Sequence, residues 1–223
     1  MAVKLAFLHT SHVLIPVFAR LASQHLPEVE VFHITDESLI RNTIAAGTLT
    51  KTTIRRLVSH IGSAHDAGAS AVMVTCSSIG PGVNVARLVF DFPVLRIDES
   101  MAEKAVGSAA RIGVAATLRT TLDPTIALLR DTAAARHRSV DVVPALCEGA
   151  FEAVFAGNTE LHDSLLAESL TGLRAKVDLV VLAQASMARV VDRLPTAGAP
   201  ILSSPELAVR SARHALGLGP PPV

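Results

Sequence analysis

One cysteine of this sequence stands where a thiol could do chemistry. Cys76 comes shortly after the apolar run 71–74 and is followed by Ser77, Ser78 and a Gly-Pro-Gly triplet. Such a run, stopped by turn residues, is typical of a buried strand. At the end of a strand and before a helix, backbone N–H groups can favour the thiolate, so the residue could act as an acid, a base or a nucleophile. Alternatively, Cys76 is a small core side chain, since free cysteines are often buried.

A second stretch rich in hydrogen-bond donors follows another apolar run. Thr117, Thr120 and Thr121 surround Arg119 in the sequence ATLRTTLDP. Hydroxyl and amide donors at a turn suit an anionic substrate. Taken singly, each hydroxyl is also ordinary capping chemistry. The hypothesis of a binding site therefore depends on whether the fold places the two stretches at corresponding strand ends.

Composition narrows the class of protein. The 223 residues carry a formal net charge of +0, half of them are hydrophobic and only 3% are aromatic. This balance offers neither the basic stripe nor the stacking platforms of a nucleic-acid-binding protein. No apolar run approaches the roughly 18 residues of a membrane span, and the first residues do not resemble a signal peptide. Two cysteines without paired spacing argue against a disulfide scaffold or a zinc ribbon, so we expect a cytoplasmic protein.

The hydrophobic pattern predicts an α/β fold with parallel strands. Short Val-rich runs alternate with segments of helical period, such as the one marked by Ile54, Leu57 and Ile61. Another helix is expected to begin at Asp123-Pro124, which reads as a cap followed by a proline at the first helical position. The predicted strands are 3–9, 29–34, 71–75, 93–97, 111–116, 141–146, 178–183 and 200–203.

The two halves of the chain follow the same plan. Thr10 and Thr117 close the first strand of each half and lie 107 positions apart, while Cys76 and Gln184 follow the third strands at an offset of 108. Such a repeat constrains the whole fold. It predicts two similar lobes, each with a mostly parallel four-stranded sheet flanked by helices. Because open α/β sheets bind ligands beyond the carboxyl ends of their strands, we expect these residues to converge on one cleft at the lobe interface.

Domain boundaries follow from this plan. The first lobe is predicted over 1–98, with a C-terminal helix, 205–217, packing back on it, and the second lobe over 99–204. The tail 218–223 is expected to be disordered. The segment 158–176 reads as an amphipathic surface helix with His162 facing solvent, and it suggests a homo-oligomer, a dimer or larger.

Three stretches carry a resemblance to a known family. VTCSS after the third strand, GVAATLRTT at the fifth and VDLVVLAQASM at the seventh resemble the aspartate/glutamate racemase superfamily over essentially the entire chain. That group includes aspartate, glutamate and hydantoin racemases, maleate isomerase and arylmalonate decarboxylase. The resemblance implies two pseudosymmetric lobes, an active site at their interface, and no metal or organic cofactor. It also implies that Cys76 exchanges a proton next to a substrate carboxylate, which Thr117 and Thr120 would hold.

The sequence departs from the family pattern at one place. Where members typically carry a second cysteine, this chain has Gln184, whose amide can only form hydrogen bonds. The symmetric pair of thiols typical of the family is therefore incomplete in this chain. The second proton could come from His9, the best candidate because histidine titrates near neutrality, or from His12, Cys147 or Glu148.

Three functions remain open at this stage. The first is a racemase or isomerase acting at a carbon next to a carboxylate or similar carbonyl, with Cys76 as acid, base or nucleophile and Gln184 orienting or stabilising an enolate oxygen. The second is a decarboxylase of a malonate-type acid, which needs one thiol only. The third is a non-catalytic protein that binds a small carboxylate. The residues predicted to bind substrate are His9, Thr10, Thr75, Ser77, Ser78, Thr117, Thr120, Ala185 and Ser186.

Overall fold

Eight strands form two four-stranded parallel sheets in the computed structural model, which describes residues 2–219. The strand order is β2-β1-β3-β4 in the first sheet and β6-β5-β7-β8 in the second. The predicted fold class, α/β with two parallel four-stranded sheets, is confirmed. The strands are β1 Lys4–His9, β2 Glu30–Thr35, β3 Ala71–Val74, β4 Val94–Arg96, β5 Arg111–Ala116, β6 Asp141–Leu146, β7 Leu179–Leu182 and β8 Ile201–Ser203.

Helices connect the strands. Nine α-helices are present within the described residues: α1 Ile15–His25, α2 Glu37–Ala46, α3 Lys51–Asp66, α4 Pro81–Ala86, α5 Glu99–Ser108, α6 Arg119–Ala135, α7 Ala150–Phe155, α8 Thr159–Arg174 and α9 Ser204–Ala215. Short 3-10 helices follow β3, at Ser77–Ile79, and β7, at Ala185–Arg193.

The chain divides into two units. The first comprises Met1–Glu99 and Pro205–Val223, and the second Ser100–Ser204. In the first unit, the central strands β1 and β3 are almost wholly buried, as expected for parallel strands covered on both faces. Leu57, Ile61 and Ala64 of α3 pack against Leu8 and Val74 of these strands in a single apolar cluster.

The backbone hydrogen bonds repeat from one unit to the other. The N–H of Thr75 donates to the carbonyl of Leu8, and the N–H of Ala183 donates to the carbonyl of Ala115, each at 2.9 to 3.0 Å. The order of strands is also the same in each sheet. The residue that follows each of these N–H groups, Cys76 or Gln184, therefore takes an equivalent place at the carboxyl end of its own sheet.

Two sequence-based predictions about helices are wrong. Helix α6 begins at Arg119 rather than at Asp123-Pro124, with Leu118 as its N-cap and Pro124 inside the helix. The N–H groups of Thr121 and Leu122 both bond the Leu118 carbonyl, and these bonds start the helix earlier. His162 of α8 is only 3% exposed: its Nδ1 donates to Asp163, and the same carboxylate oxygen accepts from Arg189.

The C-terminal segment was predicted to be disordered from residue 218. Leu218 and Gly219 both hydrogen-bond Arg213, through the Leu218 N–H and the Gly219 carbonyl. The remainder of that segment, 220–223, lies outside the described residues.

No helix among residues 2–219 is both long enough and apolar enough to cross a lipid bilayer.

Candidate active site

The Cys76 sulfur lies at the carboxyl end of β3 within a group of hydrogen-bond donors. Cys76 is the N-cap of the 3-10 helix Ser77–Ile79. The hydroxyls of Thr10 and Ser78 and the backbone N–H groups of Ser78 and Ile79 lie around its sulfur and favour its charged form. Part of the side chain is accessible, while the rest packs against the apolar cluster of the first unit. Both interpretations of Cys76, chemistry and core packing, therefore find support in its surroundings.

Burial decides the ionisation of this thiol. Loss of solvent raises the pKa of Cys76 above its ordinary value, and the hydrogen bonds from Thr10, Ser78 and Ile79 oppose that rise only in part. The sequence led us to expect a favoured thiolate. The N–H groups expected to favour it are present, but the apolar side chains around the sulfur have the larger effect. In this state the group is a thiol at neutral pH, able to donate a proton.

A chain of hydrogen bonds runs behind the cysteine. His9 is fully buried, and its Nδ1 and Nε2 lie 2.8 Å from Thr75 Oγ1 and 2.9 Å from His33 Nδ1. Because the Thr75 hydroxyl donates to the Leu8 carbonyl, it accepts from His9 Nδ1–H, and His33 then donates to Nε2. Burial, with the nearby His33 as a second cause, lowers the pKa of His9 to about 4.

This arrangement differs from what we expected of His9. Both ring nitrogens are bonded within the first unit and the ring is neutral at neutral pH, so neither nitrogen is free for a further hydrogen bond. The Thr75 hydroxyl is likewise occupied. His9 and Thr75 instead join the ends of β1 and β3, next to Thr10 and Cys76. His33 was missed at the sequence level, although its place in β2 opposite Phe7 was a usable signal.

A buried ion pair supports the loop that carries Cys76. Arg96 donates from Nε and Nη2 to the two carboxylate oxygens of Asp98, each at 3.0 Å, and both side chains are almost inaccessible. The guanidinium lies directly against Gly80, where an added Cβ would stand 2.8 Å from Arg96 Nε. Sequence reasoning overlooked this pair. Opposite charges two residues apart at the end of a short apolar strand were the available signal, since such side chains share a face.

In the second unit, the Gln184 side chain forms hydrogen bonds with Thr117. Its Oε1 accepts hydrogen bonds from the Thr117 N–H at 2.7 Å and from the Thr117 hydroxyl at 3.0 Å, and its Nε2 donates to the same hydroxyl at 2.8 Å. The two residues follow neighbouring strands, β5 and β7. The structure thus brings together two of the residues predicted from the sequence.

The other residues predicted in the second unit, Thr120, Ala185 and Ser186, are close to Thr117 or Gln184 in sequence. Thr120 lies in the first turn of α6, and its hydroxyl is buried with no hydrogen-bond partner among the described residues. Ala185 is partly buried and Ser186 is exposed, at the start of the 3-10 helix after β7. The Thr120 hydroxyl is therefore a donor at the N-terminus of a 17-residue helix that is left without a partner.

The two units use the same pairing with different chemistry. In the first, the Thr10 hydroxyl meets the Cys76 sulfur, and in the second the Thr117 hydroxyl meets the Gln184 amide. Threonine and partner occupy equivalent strand ends in each case. One unit therefore presents a titratable group and the other an amide at the same position.

The remaining candidates for a second proton donor are bonded to other side chains or exposed to solvent. Cys147 is buried and its thiol donates to Ser169 Oγ, Glu148 is exposed, and His12 lies mostly in solvent with Glu37 as its partner. Within residues 2–219, no group of three or more His, Cys, Asp or Glu side chains is arranged to hold a metal ion.

Solved structures share this fold. The aspartate racemase of Picrophilus torridus superposes with a TM-score of 0.75 at 12% identity, over 98% of this chain and 96% of that one. The glutamate racemase of Francisella tularensis, solved in complex with D-glutamate, gives a TM-score of 0.72 at 13% identity, over 97% and 81% of the two chains. The allantoin racemase of Klebsiella pneumoniae gives 0.68 at 17% identity, over 98% and 90%. At these identities the likeness shows the fold alone.

The sequence itself carries the family assignment. No protein of curated function matches the chain, but the Asp/Glu/Hydantoin racemase family matches it from residue 9 to residue 212. This span includes both strand-end pairs, and the match confirms the resemblance noted from VTCSS, GVAATLRTT and VDLVVLAQASM. It supports a racemase or isomerase function. The chain belongs to the Asp/Glu/Hydantoin racemase family.

Proposed function

We propose that this protein is a cofactor-independent racemase or isomerase that acts at a carbon next to a carboxylate or similar carbonyl, with Cys76 moving the proton. The observation that carries the proposal is the Cys76 sulfur, which has four donor groups around it at the carboxyl end of β3. A core cysteine has no need of such donors, whereas a thiolate formed during a reaction does.

The surroundings of Cys76 suit both directions of proton transfer. Because burial raises its pKa, the resting thiol is an acid that can protonate a carbanion on the substrate. When it returns to the thiolate to remove a proton from the substrate carbon, the donors from Thr10, Ser78 and Ile79 stabilise the negative sulfur. These donors are in place before the reaction, so little reorganisation is required.

Donors for the substrate carboxylate are proposed in the second unit. Thr117 offers a backbone N–H and a hydroxyl, and Thr120 adds its unpartnered hydroxyl in the first turn of α6. A helix N-terminus favours a negative charge, and hydrogen bonds to a carboxylate are stronger than those between neutral groups. Ser77 and Ser78 of the first unit, which we expected to contribute, are buried at 5% and 3% exposure.

A second function is favoured by Gln184. Racemisation needs a proton on each face of the carbon, and an amide supplies none at ordinary pH. Decarboxylation of a malonate-type acid needs one proton only: loss of CO2 leaves its electron pair on the carbon, as an enolate. The Cys76 thiol then gives its proton to that carbon, and the thiolate regains a proton from water. The thiol form of Cys76 at rest agrees with this alternative.

The experiment that separates these functions follows the proton. The protein is incubated in D2O with both enantiomers of aspartate and glutamate, with hydantoins, maleate and substituted malonates, and the substrate carbon is observed by NMR. A racemase exchanges the proton of both enantiomers with deuterium. A decarboxylase releases CO2 and places one deuterium on one face. A protein that only binds carboxylates does neither. Loss of a maleate signal to its geometric isomer would instead indicate Cys76 acting as a nucleophile.

Matched cysteine variants test the role of the thiol. We expect Cys76→Ser to lower turnover by about a thousandfold or more, since a hydroxyl is a far weaker acid and base at neutral pH. Cys147→Ser is the control, because that thiol is buried against Ser169. Equal turnover in Cys76→Ser and the unmodified protein would overturn the proposal.

A further inference from the structure

The Gln184 side chain uses up the donors that the proposed function assigns to a carboxylate. The Thr117 N–H points at Gln184 Oε1 over 2.7 Å, a short hydrogen bond, and the Thr117 hydroxyl contacts both ends of the same amide. A backbone N–H has one hydrogen to donate. It cannot serve Gln184 and a substrate oxygen at full strength together.

The shape of the amide explains why it fits there. A carboxamide and a carboxylate are both planar groups with two polar atoms on one carbon. Gln184 places its oxygen on the Thr117 N–H and its nitrogen on the Thr117 hydroxyl, so one end of the group accepts where an oxygen of a carboxylate would accept. Thr117 is only 7% exposed, so water has little access to it as a replacement partner.

The Thr120 hydroxyl is a donor that the Gln184 amide does not satisfy. Its hydroxyl is buried near the start of the same helix and has no partner among the described residues, although buried hydroxyls nearly always have one. The Gln184 amide satisfies Thr117 and leaves Thr120 unsatisfied. A carboxylate has two oxygens with several lone pairs, and it could satisfy both threonines.

We propose that Gln184 is a specificity-determining residue that acts as a built-in competitor, holding Thr117 until the carboxylate of a substrate displaces it. This inference rests on the proposed function, because that function is what places a carboxylate at Thr117. With Gln184 bound, only a fraction of the molecules is ready for a ligand. The apparent dissociation constant is raised by the inverse of that fraction. Ligands with a weakly held carboxylate are rejected.

The first unit has no such competing group. At the equivalent position the Thr10 hydroxyl meets the Cys76 sulfur, a weak acceptor with no planar polar group. Nothing there imitates a carboxylate. The competitor is thus a property of the second unit and of the glutamine in particular.

The test measures binding of malonate, maleate and glutamate to the full chain by calorimetry. Gln184→Ala removes the amide, and Gln184→Asn shortens the side chain by one methylene so that it no longer reaches Thr117. We expect both variants to bind the same ligand with a dissociation constant lowered by about fivefold or more. Gln184→Glu, which puts an ionised carboxylate on the same donors, is expected to weaken binding by a similar factor at neutral pH. Thr117→Val, which removes the hydroxyl itself, should weaken binding in both the unmodified and the Gln184→Ala backgrounds.

The outcomes separate this inference from the proposed function. Binding by the unmodified protein that is unchanged or weaker in both Gln184→Ala and Gln184→Asn overturns the competitor and leaves the proposed function standing. Binding that appears only in those two variants supports the competitor. If no variant binds any of the three carboxylates while all keep their thermal midpoint, both the carboxylate site and the competitor are wrong.

Discussion

A threonine hydroxyl meets the residue that follows the third strand of each sheet, and only the identity of that residue differs. Thr10 meets the Cys76 sulfur and Thr117 meets the Gln184 amide. The backbone positions are equivalent, so the chemistry of each unit is decided by a single side chain. A thiol can lose and regain a proton, whereas an amide can only form hydrogen bonds, which orient a ligand or compete with it.

The Thr10 hydroxyl is expected to tune the Cys76 thiol. Thr10→Val removes one donor near the sulfur while keeping the shape of the side chain, so the pKa of Cys76 should rise further. We would measure the rate of alkylation by iodoacetamide against pH, with mass spectrometry to separate the two cysteines. Cys147 is the internal reference, since its partner is Ser169. An unchanged or lowered midpoint for Cys76 would contradict the assigned hydrogen bond.

Sequence reasoning reached the position of these residues but not their contacts. Cys76, Thr117 and Gln184 were placed by the repeat, because hydrophobic runs and offsets fix where strands end. The bond between Gln184 and Thr117 depends on one rotamer and on the register of β5 with β7, which no local pattern encodes. The burial of His9 was missed for a similar reason. Its partner His33 belongs to another strand, and a polar residue at a strand end reads equally well as a site residue.

At the scale of elements, the strands were easier to predict than the helices. The strands Ala71–Val74 and Leu179–Leu182 are buried on both faces and leave a continuous apolar signal. The start of α6 was misplaced because Asp123-Pro124 imitates a helix start, while the actual start depends on two backbone bonds to Leu118. His162 was misplaced because Arg189, which bonds the same Asp163 carboxylate, comes from a distant segment.

The conformation of the loop after β3 requires a glycine at position 80. At Gly80, a methyl group would stand 2.8 Å from Arg96 Nε, and that guanidinium is fixed by its two bonds to Asp98. Gly80→Ala must therefore displace the loop rather than the arginine. We expect a loss of about 1–3 kcal/mol in the free energy of unfolding, together with a changed alkylation rate of Cys76.

Gly172→Ala is the matched control for that substitution. Gly172 lies within α8 and an added methyl group meets nothing within 4 Å. Alanine there should stabilise the protein by roughly 0.5–1 kcal/mol, since glycine is a poor helix former. Urea unfolding and thiol alkylation of the two variants give both comparisons. If Gly80→Ala matches the unmodified protein in both measurements, the close contact with Arg96 does not constrain the loop.

At the scale of the whole molecule, the buried His9 and the partly buried His33 link stability to pH. His9 has its pKa lowered to about 4 by burial and by His33, while burial lowers the pKa of His33 as well. In the unfolded chain both rings take up a proton near pH 6.5. Between these values the unfolded state binds more protons than the folded state, so stability falls as the pH falls. Above pH 6.5 neither state is protonated and the contribution is constant.

We therefore expect the free energy of unfolding to drop between pH 6.5 and pH 4, with His9 alone accounting for on the order of 3 kcal/mol. The carboxylates of Asp36 and Asp163, whose pKa values are lowered by hydrogen bonds and nearby arginines, act at still lower pH with the same sign. Urea midpoints at pH 7.5, 6.5, 5.5 and 4.5, which span about this window, measure how the free energy of unfolding changes with pH.

His9→Gln keeps an amide to bond Thr75 and removes the titration, so its slope of stability against pH should be shallower. His214→Gln, at an exposed site, should retain the original slope. Parallel slopes for His9→Gln and the unmodified protein would show that His9 is already protonated in the folded state, against the buried neutral ring that joins β1 to β3.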